Sequence, residues 1–98
     1  MKTQYYILLS LKTPAGFEYF GQFELGNDKD AANTLFINLE GDPEPDGRAV
    51  LHIDQMETVD ALPVKINTKC CTLDELASNI KIIARETFRL KNLRNLDE

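Results

Sequence analysis

Three groups of residues in this chain are of types suited to chemistry: the lone His52, the adjacent Cys70 and Cys71, and the alternating carboxylates Asp42, Glu44 and Asp46. His52 is the one imidazole, so any catalytic dyad or metal site built on imidazole must use it. Such a site needs further ligands or an orienting group at a fixed spacing, and no second histidine supplies one. His52 therefore reads as a strand residue half covered by its neighbours. The cysteines directly precede Thr72, where the positive end of a following helix would lower a thiol pKa and raise its nucleophilicity. A redox pair, however, usually has two residues between its cysteines, and buried cysteine commonly serves as a small apolar side chain. A thiol-dependent enzyme using Cys70 or Cys71 thus ranks behind the binding readings given below.

The segment Asp42-Pro43-Glu44-Pro45-Asp46-Gly47 has the alternating carboxylates and glycine that open a calcium-binding loop. The position that should supply the closing bidentate glutamate is Ile53, and two prolines stiffen the segment. It reads as an acidic linker, and no metal or other cofactor is expected. The carboxylates Glu18 with Glu24, and Asp54 with Glu57, fall at polar strand positions or strand ends. Nothing in the sequence suggests for them the apolar burial that tunes a catalytic acid, and they are expected to be solvated. No glycine-rich phosphate loop, nucleophile elbow or HExxH motif occurs, so no catalytic residue is assigned and the chain is read as non-enzymatic.

The elements that must position these residues come in the same order twice. Tyr5 to Leu11 is apolar on both faces of a period of two, which predicts an interior strand. Thr13-Pro14-Ala15-Gly16 reverses the chain into Phe17 to Leu25. There Phe17, Tyr19, Phe23 and Leu25 are expected on the core face, opposite Glu18, Phe20, Gln22 and Glu24. Gly21 interrupts the second strand, as at a bulge or a close backbone approach. Asp28 is placed to cap a helix running to about Glu40, with Gly41 as its expected terminator. The strands Ala49 to Gln55 and Leu62 to Thr68 form a second hairpin, and Pro63, Lys65 and Lys69 mark the last strand as an edge. Thr72-Leu73-Asp74-Glu75 is a capping box opening the longest helix, to about Leu93. Leu73, Leu76, Ile80 and Ile83 lie on its main apolar stripe, with Ile82 and Phe88 partly off it. The order ββαββα predicts one α+β domain over residues 1–98, a two-layer sandwich with a four-stranded, mostly antiparallel sheet and two helices on one face. Its similar halves, about residues 4–40 and 49–93, are joined by the acidic Pro/Gly linker 41–48.

The 98 residues are 43% apolar, enough for a core without metals or disulfides. A net charge of −5 makes nucleic acid an unfavourable partner, because that binding is driven by Lys and Arg displacing counterions. Charge is unevenly placed: eleven acidic residues face two basic ones between Glu18 and Asp60, whereas Lys81 to Arg94 carries a net +4. Lys81, Arg85 and Arg89 form a stripe at a spacing of four, read as a solvated face. No run approaches the roughly 20 apolar residues of a membrane helix, and the apolar start is read as a strand rather than a leader. Adjacent cysteines cannot staple distant parts of the chain, which points to a reducing, cytoplasmic location.

With the helices on one side, Tyr6, Leu8, Phe20, Val50 and His52 are expected on the other face of the sheet, and a contiguous apolar patch of roughly a few hundred Å² there marks an interface. The functional expectation is a small protein-interaction or scaffold domain that self-associates as a homodimer or meets another protein. Its rival is a small-ligand or regulatory domain, in which a cavity should reach His52, Tyr19 or Cys70.

Overall fold

Alternating strands and capped helices fix the layers of this fold. The computed structural model describes residues 3–44 and 50–90. In chain order the elements are β1 (Thr3–Thr13), β2 (Gly16–Gly26), α1 (Lys29–Asn38), β3 (Leu51–Val59), β4 (Leu62–Cys71) and α2 (Leu73–Leu90). The strands make one sheet in the order β2-β1-β3-β4, with every neighbouring pair antiparallel. This is the expected ββαββα two-layer α+β sandwich, with β1 interior and β4 at an edge. The predicted strand start at Ala49, the linker beyond Glu44 and the helix beyond Leu90 lie outside the described residues.

Both helix starts follow the local chemistry read from the sequence. The Asp28 carboxylate accepts from the Ala31 amide at 3.1 Å. Glu75 N donates to Thr72 Oγ1 at 3.2 Å, while Thr72 N donates to Glu75 Oε1 at 2.9 Å, closing the capping box from both sides. The end of α1 differs from expectation. The chain turns extended at Leu39, before Gly41, and the terminal carbonyls are satisfied from β4: Lys69 Nζ donates to Phe36 O and to Leu39 O, each at 2.7 Å. The ammonium compensates the negative end of the helix, and burial lowers its pKa from the ordinary lysine value. Lys69 is thus a helix cap as well as an edge residue. Gly41 is required instead by a close approach, since a Cβ there would stand 2.8 Å from Cys70 O, where Asp42 bridges to β4.

The layer between sheet and helices holds Ile7, Leu9, Leu35, Phe36, Ile53 and Ile83. It also holds polar groups that pair with one another or with backbone, whereas the buried Thr87 Oγ1 of α2 has no hydrogen-bond partner among the described residues. Gln55 Nε2 donates to Asn33 Oδ1 at 2.7 Å and Gln55 Oε1 accepts from Asn67 Nδ2 at 3.0 Å, tying β3, β4 and α1 together. Asn79 of α2 exchanges two 2.7 Å hydrogen bonds with the backbone of Glu40. Ile82 packs against this core in addition to the main stripe, so α2 buries more than one face, whereas Leu73 at the first turn is 73% exposed and does not join it.

Register shifts redirect two strands. In β2, Gly21 pairs with Leu9 but Tyr19 pairs with Ser10, leaving Phe20 as the extra residue of a bulge. A Cβ on Gly21 would press within 3.2 Å of Leu9 Cδ1, so glycine lets the strand approach the core at that point. The extra residue inverts the alternation toward the hairpin. Phe17 and Tyr19, expected in the core, face away from the helices and are 54% and 69% exposed. In β4, Ile66 is the extra residue between Lys65, paired with Met56, and Asn67, paired with Gln55. This puts Asn67 against Gln55 beneath α1, on the opposite face from Lys65.

Candidate functional site: the open face of the sheet

The face away from the helices is built by the alternate residues of β1 and β3, which pair across the sheet. Tyr6 lies opposite Met56, Leu8 opposite Asp54, and Ser10 opposite His52, whose other neighbour is Cys70. Tyr6, Ser10, Asp54 and Met56 are all buried, although neither α1 nor α2 packs on this face. Of the five residues expected to form a patch, Tyr6 is therefore buried, and Leu8 and His52 are half-buried between the inner strands. Phe20 sits in the bulge of edge strand β2, and Val50 just precedes β3, where its carbonyl accepts from Lys12 N at 2.8 Å. Both are half exposed.

The register shift adds what the simple alternation missed. Phe17 and Tyr19 come to this face, and the Phe17 ring meets His52 edge-on with centroids 4.8 Å apart. Together with Ser10, Asp54, Lys65 and Thr68 they line a cavity of about 300 Å³. Asp54 within it is 4% exposed. One carboxylate oxygen, Oδ1, accepts from Thr68 Oγ1 at 2.6 Å, and the other, Oδ2, lies 3.6 Å from Lys65 Nζ. That is an ion pair without a hydrogen bond, because the separation exceeds the usual 2.7–3.2 Å for N–H···O. The lysine side chain is largely exposed and reaches in from edge strand β4. The sequence signal for this site was Gly21: a bulge there flips Phe17 and Tyr19 onto the face of Ser10 and His52.

The other candidates do not gather into a site. Cys70 and Cys71 are consecutive residues of β4 and so face opposite sides of the sheet. Burial first, then Glu75 and Cys70, push the Cys71 thiol up to about 11, the reverse of the activation expected from the helix start. Cys70 Sγ donates to Asp42 O at 3.7 Å. Asp42 Oδ1 accepts from Glu44 N at 2.9 Å, Asp46 and Gly47 lie outside the described residues, and no cluster of three metal-ligating side chains occurs among those described. On α2, Lys81, Arg85 and Arg89 are exposed, with Arg89 paired to Glu86 at 2.9 Å. A larger concavity of about 540 Å³ lies between α1 and β4, lined by Phe36, Ile37, Pro43 and Ile66. Its Lys69 ammonium is already committed to the end of α1.

No described helix is long and apolar enough to cross a membrane. Comparison of the chain with protein-family models, with characterised proteins and with solved structures finds no match.

Proposed function

We propose that this chain is a non-enzymatic interaction domain of the cytoplasm whose working surface is the open face of the sheet. The observation that carries the reading is the pair Phe17 and Tyr19, more than half exposed on the face opposite α1 and α2. Val50 and Phe20 extend the exposed apolar surface at the same end of the sheet. Removing such surface from water is worth about 25 cal/mol per Å², and a second copy of the chain is the partner the reading names, since a two-fold contact covers the patch on both copies. The test is the mass in solution by light scattering. A dimer is expected for the natural chain, and Tyr19→Glu or Val50→Glu should give a folded monomer by setting like charges against each other in the contact. A natural chain that is monomeric at high concentration overturns self-association.

A second reading is supported by the cavity itself. It reaches His52 and Tyr19, as a small-ligand domain requires, although it opens on the bare sheet face rather than between sheet and helices.

A further inference from the structure

We infer that the open-face cavity is a binding site for a primary ammonium group, with Asp54 as its counter-ion and Lys65 as an internal stand-in for the ligand. The inference rests on the open face being the working surface, and it names the chemistry that the surface selects.

A buried carboxylate needs a cation and hydrogen-bond donors to offset the loss of water. Asp54 has one strong donor, Thr68 Oγ1 at 2.6 Å, and among the described residues one ion pair, to Lys65 at 3.6 Å. Lys65 is anchored on an edge strand with 58% of its side chain exposed, against 5% for Asp54, so its ammonium enters the cavity from the rim. A ligand ammonium that reaches Oδ2 within hydrogen-bond distance would improve on this pair. The walls suit the same charge. Phe17 and Tyr19 present aromatic rings, whose faces attract an ammonium once water is excluded. A volume of about 300 Å³ is at the small end of ligand sites and admits an alkylammonium arm rather than a large ring system. Lys65 already shows that an ammonium on a four-carbon stem fits. When the ligand binds, Lys65 swings out to solvent and its place is taken.

This makes an unusual prediction: removing a lysine strengthens the binding of a cation. The probes are n-butylamine and Nα-acetyl-lysine amide, with n-butanol as neutral control, titrated into the full chain by calorimetry and by NMR shifts of the β1 and β3 amides. They are added both to the natural chain and to Val50→Glu, in which the proposed contact between copies is broken and the cavity lining is unchanged. Saturable binding of the amines but not of butanol is expected. Lys65→Met should tighten it about two- to fivefold, the range set by a partly exposed ion pair. Asp54→Asn, which keeps an oxygen for Thr68, should abolish it. Tighter binding of the lysine analogue assigns the ammonium to a protein side chain, and tighter binding of butylamine assigns it to a small amine. The inference is overturned if Lys65→Met binds neither amine, or binds butanol as well as butylamine. Light scattering on the same samples separates this failure from that of the open-face contact, since Val50→Glu changes the mass and Lys65→Met does not.

Discussion

The two faces of this sheet bury polar groups in different ways. Beneath the helices, Gln55, Asn33 and Asn67 are neutral and hydrogen-bond in a chain, and Asn79 closes both of its bonds on the Glu40 backbone. On the open face the buried polar group is a charged carboxylate, held by one hydroxyl and an ammonium beyond hydrogen-bond distance. Neutral groups that satisfy each other specify packing and offer nothing to a partner. On the inference drawn above, a buried charge whose counter-ion reaches in from the rim, walled by exposed aromatic rings, is a place for a second cation. The helix face is thus built for stability, and on the proposed reading the open face is the one left for a partner.

Substitutions at either side of the sheet give the sharpest contrast. Ile53 is fully buried against the helices, and Ile53→Ala should cost about 3–4 kcal/mol in urea unfolding. Phe17, across the sheet on the open face, is 54% exposed, so Phe17→Ala should cost less than about 1 kcal/mol. Equal losses would erase the distinction between a structural face and a working face. Within the helix layer, Thr72→Ala removes half of the capping box and should lower stability by about 1 kcal/mol. An unchanged midpoint would show that α2 does not depend on that start.

Much of this layer was legible in the sequence because its signals are local. Asp28, Thr72 and Glu75 cap the helices from within one turn, Pro63 and Lys65 mark the β4 edge, and the two-sided apolar pattern of Tyr5 to Leu11 marks an interior strand. The open face was less legible because it depends on register, which is settled between strands. Gly21 gave notice of an irregularity, but the side to which Phe17 and Tyr19 turn follows from which residue of β1 each meets. The cap on α1 was likewise hidden: Lys69 is thirty residues from Leu39 and reaches it only because β4 runs beneath the helix end. Asp54 has the spacing of an ordinary solvated strand residue, and its burial comes from neighbours on β1, β2 and β4.

Smaller effects sharpen the same comparison. The β3–β4 turn holds Asp60 at φ 52° and Ala61 at φ 69°, left-handed conformations that cost a residue with a side chain about 1–2 kcal/mol. Ala61→Gly should raise stability by about 0.5–1 kcal/mol, net of glycine's greater freedom when unfolded. A loss of stability would mean that the turn is not strained. At the sheet's other end, the thiol of Cys71 is raised from 9.0 to about 11, so its alkylation at pH 8 should be slower than that of a model thiol. By the same shift, its contribution to stability is intact below pH 9 and fades as pH rises through 11, because the unfolded chain loses that proton first. Rapid alkylation of Cys71 in the folded chain would restore the thiol as a candidate nucleophile.

The most direct test of the central claim is the solution mass of the natural chain and of Tyr19→Glu, by light scattering at matched concentrations with circular dichroism on both. The natural chain should be a dimer and the variant a monomer with unchanged secondary structure. A natural chain that stays monomeric, or a folded variant that stays dimeric, would contradict the assignment of the open face as the contact surface.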